Sequence, residues 1–231
     1  MKIFVRLTGS LAIFATLGFS VFAQAALSCG STPNCYLNAA QNPDDPEDSL
    51  WAEGIFKASW TVTGNTLNVA IEATTPGWVS IGFSKSATMG DSDYVMGGYK
   101  ASSSAAYSED YLYTLSGPGC PQCAPTQDSL LATPGSNDVF NVSASETGGV
   151  TTFNFSRLLN TGDTNGDFDL STGSYTLLWA LNSSSDNLAI YHTGGRGILV
   201  SDVQFVPVPS AVWLMGSALL GSIGMKRRIM R

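Results

Sequence analysis

Between residues 55 and 73 the hydrophobic side chains fall on every second position: Phe56, Ala58, Trp60 and Val62, then Leu67, Val69, Ile71 and Ala73. A period of two sends successive side chains to opposite faces of an extended chain. Each run therefore predicts a half-buried β-strand, and Gly64-Asn65 between them predicts the tight turn of a hairpin. Strand-like runs recur at 77–84 (GWVSIGFS), 92–99 (SDYVMGGY), 109–115, 138–145, 150–158, 174–182, 188–192 and 197–206, separated by clusters of Gly, Ser, Asn, Asp and Pro. This spacing predicts an all-β fold, a single antiparallel β-sandwich of about ten strands, and no segment has the period of an amphipathic helix. The acidic stretch 38–49, broken by Pro43 and Pro46, predicts an arm that packs over the sandwich edge without regular structure.

The two ends break this pattern. Lys2 and Arg6 precede an apolar run from Leu7 to Phe22 and then Ala23-Gln24-Ala25. That order predicts a signal peptide over residues 1–25, cut after Ala25. At the other end Pro209 to Met225 is apolar and Lys226, Arg227 and Arg228 follow. Roughly seventeen apolar residues can just cross a bilayer as a helix, and the basic cluster should stay cytoplasmic, leaving the preceding domain outside. The string VPVPSAVWLMGSALLGSIGMKRR closely resembles a PEP-CTERM tail: Pro-x-Pro, an apolar helix, an Arg-rich end. Val208 stands where the motif usually has Glu. The resemblance implies an exosortase-type sorting enzyme as partner, transient insertion in the inner membrane of a Gram-negative bacterium, and export to the cell surface or an exopolysaccharide matrix. The division expected is signal peptide 1–25, N-terminal arm 26–49, sandwich 50–205 and tail 206–231.

Charge narrows the partners. The chain carries 18 acidic and 11 basic residues, and six of the basic ones, Lys2, Arg6, Lys226, Arg227, Arg228 and Arg231, belong to the two ends. A domain this acidic repels phosphate backbones, so no nucleic-acid partner is expected. Cys29, Cys35, Cys120 and Cys123 would sit in an oxidising compartment and predict structural disulfides. Both the local pairs 29–35 and 120–123 and a staple from the arm to the Cys120 loop can be built. The Cys-x-x-Cys pair lacks the following His of a c-type haem attachment, since position 124 is Ala, and it lacks the strand-to-helix setting of a thioredoxin motif.

Four pieces, in order, resemble the DOMON family of haem- or sugar-binding β-sandwiches, which includes the cytochrome domain of cellobiose dehydrogenase. They are GWVSIGFSKSATMGDSDYVMGGY with its Trp-x-x-x-Gly-Phe strand and Met-x-x-x-Asp loop, FSRLLNTGDTNGDFDL with its Arg-x-Leu strand and Gly-Asp turn, SYTLLWALN, and the His-containing hairpin IYHTGGRGILVSDV. In the haem-binding branch one axial ligand is a Met after the Gly-Phe strand and the other a His in the late hairpin. The resemblance thus implies non-covalent haem b with Met89 and His192, the chain's single His, on the iron. Thioether and imidazole bind both iron oxidation states and raise the reduction potential, which suits electron transfer with a redox partner. Met96 is a competing ligand in a strand where packing is the plainer job. Trp78, Phe83, Tyr94, Trp179 and Tyr191 could line a haem slot or stack on sugar rings, although Trp78 and Phe83 point to opposite faces. Arg196 could pair with a haem propionate or a sugar acid.

Other motifs carry less. Asp163, Asn165, Asp167 and Asp169 alternate like the start of an EF-hand, but position six is Phe168 and position twelve is Ser174, so a Gly-Asp turn is expected instead of a calcium loop. Asp44-Asp45 and Asp91/Asp93 read as solvated loop acids. With one His and no GxSxG or HExxH string, no dedicated enzyme is expected. Three functions stay open: an exported haem electron-transfer module, a carbohydrate-binding module associated with exopolysaccharide, and a structural matrix protein.

Overall fold

The computed structural model of the chain describes residues 27–40, 51–113 and 125–205. Among them lie eleven strands: β1 (Cys35–Leu37), β2 (Phe56–Thr63), β3 (Thr66–Ala73), β4 (Val79–Ser84), β5 (Ser92–Lys100), β6 (Ala105–Tyr113), β7 (Thr126–Gln127), β8 (Phe140–Thr147), β9 (Val150–Leu158), β10 (Tyr175–Leu181) and β11 (Gly195–Val203). A single 3-10 turn, Asp128–Leu130, follows β7. The strands form two sheets with antiparallel pairing, one in the order β1-β2-β3-β9-β8 and the other β11-β10-β4-β5-β6-β7.

The alternation in β2 and β3 becomes one wet and one dry face, as a period of two requires. Thr63 pairs Thr66 across Gly64-Asn65, and Gly64 takes φ +60°, where the missing Cβ removes the steric penalty. Phe56, Ile71 and Phe153 of the five-stranded sheet share one core with Ile81, Val95 and Trp179 of the six-stranded sheet. The six-stranded sheet is also apolar on its outer side. There Trp78, Tyr94, Met96, Tyr111 and Leu178 form a second cluster, so that β4 is buried on both faces along its whole length. The connection from Asn182 to Gly194 folds across this outer side, tied by Trp78 N–H to the Ser185 carbonyl at 3.0 Å and Asn182 N–H to the Trp78 carbonyl at 2.9 Å.

One expectation of secondary structure needs correction. Residues 188–192 alternate like a strand, yet they form a turn and irregular chain. Asn187 organises the turn, accepting from Ala189 N–H through Oδ1 and from Ile190 N–H through its carbonyl. His192 therefore sits on a loop ahead of β11, not in a hairpin strand. Ahead of the acidic stretch 38–49, the arm contributes β1, which pairs β2 at the sheet edge. Cys29 and Cys35 form a disulfide, which closes the local loop and excludes a staple from either of them to Cys120. The signal-peptide stretch, residues 41–49 of the arm, Cys120, Cys123 and the PEP-CTERM-like tail lie outside the described residues. Among the described residues no helix is long and apolar enough to cross a membrane.

Candidate functional site

Between the outer side of the six-stranded sheet and the 182–194 connection lies a cavity of about 840 Å³. Both Met89 and His192 line it. They arrive on separate loops, the β4–β5 loop and the 182–194 connection, and each loop is held by side chains rooted in the fold.

The β4–β5 loop carries Met89, which is 38% exposed. Ser84 and Ser92 Oγ both donate to the Thr88 carbonyl at 2.9 Å, Ser86 Oγ donates to the Gly90 carbonyl at 2.9 Å, and Tyr94 Oη donates to the Met89 carbonyl at 2.7 Å. The loop carbonyls are thus satisfied by hydroxyls of the strands it joins, Ser84, Ser92 and Tyr94, and by the loop's own Ser86. Ala87 and Asp91, on either side of Met89, hold φ +57°, a left-handed backbone that non-glycine residues rarely adopt.

His192, only 7% exposed, belongs to the connection that roofs the cavity. Trp78 Nε1 donates to the Ile190 carbonyl at 3.1 Å and Asn182 Nδ2 to the Tyr191 carbonyl at 2.7 Å. Asn182 also accepts from Ser184 and Ser185 N–H through Oδ1, so one buried amide fixes both ends of the loop. The Tyr191 ring lies 3.8 Å from the imidazole, and Arg196 Nη1 is 3.4 Å from Nδ1 and 3.5 Å from Nε2. Tyr191, 55% exposed, has the Arg196 guanidinium 5.5 Å from its ring centre.

The structure thus brings Met89, His192, Trp78, Tyr191 and Arg196 to one cavity, with Tyr94 and Trp179 also in its wall. Phe83 is on the other face of β4, in the inter-sheet core, as strand alternation requires. Met96 lines the cavity too, from the floor strand β5, and is 7% exposed. The residues that sequence reasoning passed over are Asn182 and the Asn187 turn. Among the described residues, the lining of this otherwise acidic chain's cavity has one guanidinium, Arg196, and no carboxylate.

Asp93 departs furthest from expectation. It lies in β5, not in a loop, is fully buried, and faces the inter-sheet space. Arg157 Nη1 donates to both its oxygens, at 3.0 and 2.9 Å, and Phe168 N–H donates to Oδ2 at 2.9 Å. Burial raises the Asp93 carboxyl above its ordinary range, and Arg157 opposes that rise. The EF-hand-like run is a turn, as expected. Asp163 Oδ1 accepts from Asn165 and Gly166 N–H, and Asp169 accepts from Ser171 and Asn160.

The sequence profile of the DOMON domain matches residues 52–182, more than half of the chain. The chain belongs to the DOMON family. Among solved structures it is similar to the crystal structure of the cytochrome b domain of pyranose dehydrogenase from Coprinopsis cinerea, at 13% identity and a TM-score of 0.44, covering 69% of this chain and 82% of that one. No curated protein matches the chain.

Proposed function

We propose that this protein is an exported DOMON module that binds haem b non-covalently through Met89 and His192 and transfers electrons at the cell surface or in the exopolysaccharide matrix of a Gram-negative bacterium. One observation carries the reading. A thioether and the chain's single imidazole line the same apolar cavity, where the only charged lining side chain among the described residues is a guanidinium. The volume falls within the range of cofactor sites, and the donor set suits haem iron. Haem bound by such ligands would supply one-electron transfer. The chain's own residues do the rest. Tyr94 and Asn182 fix the two ligand loops, Trp78 and Leu178 keep water from the cavity floor, and Arg196 offers paired N–H donors to a propionate.

The test is an absorbance spectrum of the full chain reconstituted with haemin. A sharp Soret band and a reduced α-band are expected, each lost in Met89→Ala and in His192→Ala and kept in Met96→Ala. A spectrum that survives the first two substitutions, or no spectrum at all, ends this reading. Glycan capture without a chromophore would favour the carbohydrate-binding module. Salt-insensitive self-association without either ligand would favour a structural matrix component.

A further inference from the structure

Behind the cavity floor lies a group of carboxylates that the cavity does not use. Strand alternation turns Tyr94 and Tyr111 toward the cavity and sends Asp93 and Asp110 to the inter-sheet side. Asp110 is 1% exposed, and neither of its carboxylate oxygens has a hydrogen-bond partner. An oxygen of Asp110, one of Asp93 and one of Asp167 all lie within 4.8 Å of one another. Asp128, the first residue of the 3-10 turn, is equally buried, and its two oxygens also lack partners. It fits because position 166 is glycine: a Cβ there would collide with Asp128 Oδ2. Arg157 is already engaged, with Nη1 on Asp93 and Nη2 3.0 Å from Asp167. One guanidinium thus faces four carboxylates away from water. A fold holds such an arrangement only with a compensating charge or with protons.

We propose that Asp110 and Asp167, with the flanking carboxylates of Asp93 and Asp128, bind a divalent oxygen-seeking cation, namely Ca²⁺. The donors are all oxygens, with no His or Cys in the group, which selects a hard cation. Calcium tolerates the irregular geometry of carboxylates drawn from two strands, a turn and a loop, where magnesium demands a near-ideal octahedron. Burial, and after it the neighbouring carboxylates, raise Asp128 and Asp167 to about 7 against the opposing pull of Arg157. Protons are therefore the competing occupants at neutral pH, and the experiment must separate the two.

The full chain, stripped of divalent ions with a chelator, is titrated with CaCl₂ by calorimetry, and its melting temperature is compared with and without Ca²⁺. One saturable site and a higher melting temperature in Ca²⁺ are expected. Asp110→Asn should lose both effects and, in chelator, melt above the wild type, because the amide needs neither a cation nor a proton to be buried there. If Asp110→Asn does not fold, Asp128→Asn carries the same expectation. No heat and no melting shift at millimolar Ca²⁺ would overturn the proposal in favour of protons. A Ca²⁺ response unchanged in whichever variants fold would overturn it too, by moving the ion to surface acids. The assay needs no haem, so it can fail or succeed independently of the absorbance spectrum.

Discussion

Gly82 stands directly opposite Tyr94 in the β4–β5 ladder, and a Cβ on it would run into the ring carbons of that tyrosine. The missing side chain lets the phenol ring lie flat on the sheet, so that its hydroxyl reaches the Met89 carbonyl. The glycine of the Gly-Phe pair thus acts on the cavity through its neighbour, although its own backbone is ordinary strand. Gly82→Ala should force the ring off the sheet and release the Met89 loop, at a cost of about 1–3 kcal/mol from overpacking. Tyr94→Phe, which keeps the ring and loses only the hydrogen bond, should cost about 1 kcal/mol. Urea unfolding measures both, and haem titration should show the larger loss of affinity in Gly82→Ala. If Gly82→Ala unfolds at the wild-type midpoint with an unchanged spectrum, the ring has room to move aside and this link between sheet and loop is wrong.

At the scale of elements, β5, β6 and β9 are joined at one end of the sandwich by charge where hydrophobic contact joins them elsewhere. Arg157 and Asp93 are both fully buried, and the pair crosses from one sheet to the other. Removing one partner of such a pair strands the other charge in a dry interior. Arg157→Met should therefore destabilise the fold by about 3–5 kcal/mol, more than a methionine of similar length could recover by packing, and calorimetric or denaturant unfolding will show it. A loss under about 1 kcal/mol would mean that the acids simply take up protons. This pair also marks what was legible in the sequence. The β2–β3 hairpin and β9 could be read because each has one wet and one dry face, and the glycine turn set the register. The three-residue β1, the two-residue β7 and the 3-10 turn are too short to show a period. In the cavity, Met89 and His192, which the family resemblance singled out, do line one space. That Asn182 would hold the histidine loop was not legible, since a buried asparagine looks like any turn residue until its partners are known. Asp93 looked solvated because acids usually are. Its inward position depends on register, and its partner lies 64 residues along the chain.

For the whole molecule, the same carboxylates set how stability responds to pH. The groups that face one another are Asp93 on β5, Asp110 on β6, Asp128 on the 3-10 turn, Arg157 on β9, and Asp163 and Asp167 on the loop after β9, with Asp138 and Lys85 at the margin. Burial, then mutual repulsion, raises Asp128 to about 7, and burial chiefly raises Asp167 to about 7; Asp110 also stands well above its usual range of 3.8. The folded chain therefore holds protons that the unfolded chain releases near its ordinary carboxylate range. A raised acid contributes stability that is complete below the unfolded value and is lost as pH rises through the folded one. Asp163 and Asp169 shift the other way, lowered by hydrogen bonds, so their contribution is lost only in stronger acid, below the window considered. Without divalent ions the melting temperature should fall steadily from pH 5 to pH 8. Calcium competes with those protons, so its affinity should rise over the same interval and its presence should flatten the decline. Thermal melts at four pH values, in chelator and in Ca²⁺, measure both slopes. A calcium-free chain that gains stability from pH 5 to pH 8 would show that the carboxylates are already ionised and matched in the folded state, with Arg157 sufficient for all of them.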